Sequence, residues 1–281
     1  MKTILVTGGT DGIGKGVAMH FLQKGDRVIV VGSSSAKGEL FSHDAKLLQA
    51  EDRALFLQAD LSLVRENVRI IEEIKSQFHS LDMVVFCAAK QKYRKTSSLT
   101  KDGFEFTFGL YYLSRYLLSY GLKECLERAE NPVIVNICAP GMKGTVNWDD
   151  IQYKEHFNSI KAMFNGSRLN DLLGVAFAQN EIKGKIKYIL FNPWAVQTPG
   201  ALEAYQQPVV KSIVKILYAI TGKSIEEAII PVIALLENPP HAALSAFKQD
   251  KEVSLTMKTF DKEHAQKLST FTDQLIRGMS V

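Results

Sequence analysis

The stretch Thr3-Ile4-Leu5-Val6-Thr7-Gly8-Gly9-Thr10-Asp11-Gly12-Ile13-Gly14-Lys15-Gly16 decides the fold. A short apolar, β-branched run enters a glycine-rich turn, and the turn opens a segment of helical period. Such a unit lets the backbone approach a pyrophosphate, which then meets exposed N–H groups and the positive end of a helix. A glycine pattern alone says little. Here it follows the first strand, opens a helix, and precedes a second strand about 20 residues on. Gly8, Thr10, Asp11, Gly12, Ile13 and Gly14 are therefore candidate dinucleotide-binding residues.

Outward from that unit, short β-branched runs alternate with long helical segments, the signature of parallel β/α units. Strands are expected at Thr3–Thr7, Arg27–Val31, Ala54–Leu57, Met83–Cys87, Val133–Ile137 and Lys187–Phe191. Several are apolar at consecutive positions, as strands covered on both faces are. Helices are expected at about 13–24, 37–50, 62–78, 105–128 and 163–181. Beyond residue 192 the pattern changes to a loop and helical segment (199–222), a helix (224–237), a strand near Ala243–Phe247 and a polar helix at about 259–277. The apolar segment Pro208 to Ile220 is broken by Lys211, Ser212 and Lys215 and reads as amphipathic. No Pro- or Gly-rich boundary divides the chain. The reading is a single α/β domain over 1–281, a Rossmann-type doubly wound parallel sheet. Residues 1–192 form the dinucleotide-binding core, and 193–281 add the substrate-side loop, helices and last strand.

The 281 residues carry 46% hydrophobic and 23% charged side chains, which excludes disordered, collagenous and coiled-coil classes. Lys+Arg of 34 against Asp+Glu of 30 gives +4, too small a bias to argue for nucleic acid. Cys87, Cys125 and Cys138 lack C-x-x-C spacing, so neither a disulfide framework nor a metal site is expected. The chain opens directly as a strand, without a signal-peptide pattern, and has no apolar run of membrane-spanning length. A cytoplasmic protein without membrane insertion is the expectation.

The pattern T-G-x-x-x-G-x-G at the first turn resembles the short-chain dehydrogenase/reductase family, and the resemblance runs along nearly the whole chain. Asp60-Leu61-Ser62 stands where that family has an acidic residue after the third strand, which accepts a hydrogen bond from the adenine amine. Phe86-Cys87-Ala88-Ala89 occupies its N-N-A-G, and Pro193-Trp194-Ala195-Val196-Gln197-Thr198 its P-G-x-V-x-T. Asp102-Gly103-Phe104-Glu105 and Ser167-Arg168-Leu169-Asn170 are similar to the retinol-dehydrogenase-like branch. The resemblance implies cofactor contacts from Asp60, Leu61, Ala88, Ala89, Pro193, Val196 and Thr198.

Cofactor choice is read at the end of the second strand. An acidic residue there would hydrogen-bond the adenosine ribose and repel a 2′-phosphate. This chain has Gly32-Ser33-Ser34-Ser35-Ala36-Lys37 instead. NADP(H) is expected over NAD, with Ser33, Ser34 and Lys37 as phosphate ligands. Lys37 reads equally well as a solvated helix residue.

The resemblance implies an Asn-Ser-Tyr-Lys catalytic set, and none of the four is present. Asn falls on Tyr111, Ser on Ala139, Tyr on Phe164 and Lys on Arg168. A rival alignment puts the last pair at Phe157 and Lys161, which still lacks the phenol. Phenylalanine has no transferable proton, and losing one positioned acid typically costs ~10²–10⁴ in rate. Arg168 keeps a charge that forks onto ribose hydroxyls but cannot titrate. Trp194 either adds bulk where the nicotinamide would lie or stacks on a ligand. Cys87 and Cys138 lie near the site without a paired histidine and read as buried structural residues. His156 and His264 read as surface residues.

Three readings follow: a catalytically silent homologue that binds NADP(H) and acts through a protein partner or small-molecule ligand; a non-redox cyclase, isomerase or lyase reusing the pocket; and an atypical oxidoreductase whose proton comes from Tyr111 or water. Phe104, Phe108, Tyr112, Leu113, Tyr116, Leu117 and Tyr120 recur every three or four residues, and relatives pair through this helix, so a homodimer or homotetramer is expected. Core packing explains the same stripe.

Overall fold

A computed structural model describes residues 1–90, 96–181, 184–198, 212, 215 and 222–279. Seven parallel strands and one antiparallel edge strand form a single sheet of order β3-β2-β1-β4-β5-β6-β7-β8. The strands are β1 Thr3–Thr7, β2 Arg27–Gly32, β3 Ala54–Gln58, β4 Met83–Phe86, β5 Val133–Ile137, β6 Lys187–Asn192, β7 Leu244–Lys248 and β8 Lys251–Glu252. The strand order reverses direction at β1, between β2 and β4, so the carboxyl ends of β1 and β4 face the crevice where open α/β sheets bind ligands.

Helices α1 (Gly12–Gln23), α2 (Ser35–Leu47), α3 (Val64–Gln77), α4 (Ser114–Gly121), α5 (Lys123–Arg128), α6 (Ser159–Asn180), α7 (Ile225–Glu237) and α8 (Lys262–Arg277) cover the sheet. Leu5, Ile29, Val84, Ile134 and Leu190 lie in the core on one side. Ile4, Val6, Val28, Val85, Val135 and Ile189 lie in the core on the other. This two-sided burial is why the strands read as continuous apolar runs. The caps are local chemistry: Asp11 starts α1, Ser34 α2, Asn158 α6 and Asp261 α8, each accepting a backbone N–H of the first turn.

Three expectations are corrected. The helix expected at 105–128 is broken: a π-helical turn, Phe108–Leu113, precedes α4, and α5 follows separately. The helix expected at 163–181 starts earlier, at Ser159, because Asn158 caps it. The aromatic stripe is not an open face: α8 packs beside it, with the Tyr112 hydroxyl 2.6 Å from Thr272 Oγ1 and Tyr116 donating to Asp273 at 2.7 Å. Core packing, supplied by the chain's own last helix, accounts for the stripe. The short antiparallel β8 had no sequence signal. The segment expected at 199–222 falls almost entirely outside the described residues.

Candidate functional site

The turn from β1 into α1 is built on glycine. Gly8 has φ +67°, and a Cβ there would sit 2.8 Å from Ala88 N, so the turn lies directly against the residues that follow β4. A Cβ on Gly14 would lie 2.4 Å from Gly8 O, which lets α1 start tight under the loop. Gly12, at φ +53°, lies under Thr198, whose Cγ2 would be 3.1 Å from an added Cβ. Two candidate cofactor residues far apart in sequence, Gly12 and Thr198, thus meet across the phosphate loop. Ile13 opens α1 beside them.

The end of β2 is equally close-set. Thr10 packs on Gly32 at the end of β2. Ser33 is exposed, and Ser34 accepts the Lys37 N–H at 3.3 Å. The Lys37 ammonium reaches Asp11 Oδ2 at 2.5 Å, while Asp11 Oδ1 accepts the Gly12 N–H at 2.7 Å. Asp60 is exposed beside buried Leu61, with Oδ1 held by the Ser62 amide and hydroxyl at 3.0 and 2.7 Å. Ala88 and Ala89 follow β4, and Pro193 and buried Val196 follow β6.

Tyr111, Ala139 and Arg168 come together around α6, with Phe164 one turn before Arg168. Tyr111 sits in the π turn with its ring against Gly166 and its hydroxyl bonded to Ser167. Burial pushes that phenol up to about 12, against the pull of Arg115. It therefore holds its proton too tightly to serve as a neutral-pH acid. Ala139 offers only its carbonyl, which accepts Arg168 Nη2 at 2.9 Å. Phe164 is 40% exposed one turn before Arg168. Arg168 is buried and paired with Asp171, Nη2 to Oδ2 3.1 Å. In the rival alignment, Phe157 precedes α6 and Lys161 is exposed on its first turn.

Trp194 has φ +65°, the left-handed conformation in which a glycine would be unstrained. Its ring is 56% exposed and lies under the Lys248 ammonium, 3.8 Å from the centroid. The side chain is thus directed toward the end of β7.

No sequence pattern marks the polar network beneath the site. Arg115 is buried, donating to Asn136 Oδ1, to Ile137 O at 3.0 Å and to Ala88 O at 3.3 Å, with its guanidinium 4.3 Å from the Tyr111 ring. Asn136 donates to Asn170 Oδ1 at 2.8 Å, and Asn170 donates to the Tyr111 carbonyl at 2.8 Å. Neutral acceptors and a ring surround this cation, tying the ends of β4 and β5 to the π turn. Polar residues spaced this irregularly carry no periodic pattern.

Burial pushes the Cys87 thiol up to about 12 and raises Cys138 as well. His156 is exposed, and exposed His264 packs against Trp148. Among the described residues no group of three or more His, Cys, Asp or Glu side chains converges. Nor is any helix among them long and apolar enough to cross a membrane.

A short chain dehydrogenase family model matches residues 2–149. Human polyprenol dehydrogenase is 30% identical over 156 residues, 54% of this chain and 47% of that protein. Human retinol dehydrogenase 14 is 24% identical over 98% of this chain and 86% of its own length. Mouse retinol dehydrogenase 13 is 26% identical over 65% of this chain and 54% of that protein. The chain thus spans about half the length of polyprenol dehydrogenase and retinol dehydrogenase 13. Among solved structures, the NADP complex of Pseudomonas aeruginosa RhlG superposes with a TM-score of 0.67 at 20% identity, covering 89% of this chain and 94% of that one. Gluconobacter frateurii L-sorbose reductase, complexed with NADPH and L-sorbose, gives 0.67 at 16% identity over 88% and 94%. With the phosphate loop, sheet order and family match in agreement, the chain belongs to the short chain dehydrogenase family.

Proposed function

We propose that this chain binds NADP(H) through its adenosine and pyrophosphate half and does not carry out ordinary carbonyl or alcohol redox chemistry. The glycine turn, Asp60 and Thr198 support the binding half. The reading is carried by position 164, where the side chain beside the site is a phenyl ring with no proton to give. Hydride delivered to a carbonyl would leave an alkoxide with no donor at Phe164 and no hydroxyl at Ala139. Each missing interaction is worth several kcal/mol in a transition state. Tyr111, the one phenol at these positions, is held protonated by burial. This counts against the rewired-acid alternative. The names of the polyprenol and retinol dehydrogenases point to a lipophilic ligand, in keeping with exposed Ile160, Phe164 and Trp194.

In cofactor terms, NADP(H) would be held by Gly8, Thr10 and Gly12 to Gly14 at the pyrophosphate and by Ser33, Ser34 and Lys37 at the 2′-phosphate. Bound, it supplies a hydride. Titration by fluorescence or calorimetry is expected to show NADPH binding more tightly than NADH, and a panel of aldehydes, ketones and quinones no NADPH consumption above background. Turnover of ~1 s⁻¹ or more on any carbonyl would overturn the silent reading. Absence of binding at millimolar cofactor would overturn the cofactor assignment.

A further inference from the structure

Arg115 is 1% exposed, and its described partners are all neutral: Asn136 Oδ1, Ile137 O at 3.0 Å, Ala88 O at 3.3 Å and the Tyr111 ring at 4.3 Å. Among the described residues no carboxylate pairs with it, whereas buried Arg168 is cancelled by Asp171 at 3.1 Å. A guanidinium does not deprotonate, so its burial leaves a permanent charge in the interior. Asn136 is itself fixed by Asn170 at 2.8 Å, which holds that charge in place.

The charge lies at the carboxyl edge of the sheet. Ile137 ends β5, Ala88 follows β4, and Gly8 of the phosphate turn packs on Ala88. Its field reaches the same edge: burial pushes the Cys87 thiol, just after β4, up to about 12, and the Arg115 charge opposes that rise. Gly8, Gly12 and Gly14 present backbone alone at the turn, as a pyrophosphate needs. A dinucleotide held there spans the switch point, with adenosine toward the end of β2 and nicotinamide toward β4 and β5.

The two forms of the cofactor differ by one positive charge on the nicotinamide ring, present in NADP⁺ and absent from NADPH. We propose that Arg115 makes this chain discriminate between them, taking up NADPH and disfavouring NADP⁺, so that its occupancy follows the reduced form of the cofactor. The proposal deepens the cofactor reading above and rests on it. A unit charge shifts an equilibrium about fivefold across roughly 15 Å at an effective dielectric of ~20. Trp194 acts by bulk and does not make this distinction, because the two rings are nearly the same size. The phosphates do not make it either, being common to both forms.

Calorimetric titration of the full chain with NADPH and with NADP⁺ tests this. NADPH is expected to bind about fivefold or more tighter. Buried charges are screened little, so the ratio should persist from about 0.05 to 0.5 M salt while both affinities fall. Arg115→Lys should keep the ratio, and Arg115→Met should bring it toward one, with circular dichroism checking that each is folded. An arginine that merely braced the sheet would on removal weaken both forms alike. Equal affinities, tighter NADP⁺, a ratio abolished by salt, or a ratio unchanged in folded Arg115→Met would overturn the proposal and leave the cofactor reading standing. If Arg115→Met does not fold, the salt series on the unaltered chain decides. Binding of neither form would overturn the cofactor reading and this proposal with it.

Discussion

The guanidinium of Arg168 and the carboxylate of Asp171 pair inside the protein, Nη2 to Oδ2 3.1 Å. Asp171 Oδ2 also accepts Thr259 Oγ1 at 2.5 Å and the Gly141 amide at 3.2 Å. One buried carboxylate therefore joins α6, the loop after β5 and the segment leading into α8. The cation at position 168 is spent on architecture in the ligand-free chain.

That placement sets a pH dependence. Burial raises Asp171 from 3.8 to about 7, so the folded state binds more protons than the unfolded state between those values. Stability contributed by this group is present at the acid end and lost as pH rises toward 7. Thermal unfolding of Asp171→Asn, compared with the parent chain from about pH 5 to 8, should show a flatter profile. Identical slopes would remove Asp171 from the account.

Gly8 and Gly25 separate two costs of a side chain. Both have positive φ, +67° and +92°, but a Cβ on Gly8 meets Ala88 N at 2.8 Å, whereas Gly25 has nothing within 4 Å. Gly25→Ala should cost about 1 kcal/mol, the backbone penalty alone. Gly8→Ala should cost at least ~2 kcal/mol more and weaken NADPH, because β4 must move. Equal denaturation midpoints would contradict the packing argument.

Lys37 bonds Asp11 at 2.5 Å, and both side chains are partly exposed. A 2′-phosphate would draw the ammonium from that pair. Lys37→Ala is expected to weaken NADPH several-fold in a salt-dependent way and to leave NADH nearly unchanged. Equal losses for both cofactors would mean that Lys37 supports the loop and does not read the phosphate.

Trp194 sits at φ +65° with its ring over Lys248. Trp194→Ala keeps the strained backbone and loses the ring. Trp194→Gly loses the ring and relieves the strain. Glycine should therefore be the more stable of the two by about 1 kcal/mol in urea unfolding.

Because α8 lies against Tyr112 and Tyr116, the aromatic stripe is not expected to pair copies of the chain, and a homodimer or homotetramer seen by light scattering should survive substitution of exposed residues near the stripe. Leu268→Asp, which charges the buried side of α8, should expose the stripe and produce association. A stable dimer of the unaltered chain would show that a different face pairs.

The sequence by itself determined strands β1 to β7 and the glycine turn. Apolar runs such as Val28–Val31 and Val133–Val135, and the Thr7–Gly14 turn, encode local geometry that neighbouring residues suffice to specify. It also determined that no phenol stands at position 164, since a missing functional group needs no coordinates. What it left open depended on direction. Lys37 reads equally as phosphate ligand or solvated residue, and the structure adds that its ammonium bonds Asp11. The aromatic stripe read equally as interface or core until α8, about 150 residues later in the chain, was seen to cover it. Arg115 and Asp171 carried no pattern at all, because a buried charge is recognised by the carbonyls, hydroxyls and rings that surround it, and distant segments supply these. Only the tertiary structure brings them together: hydrogen bonds act over about 3 Å in space, without regard to separation along the chain.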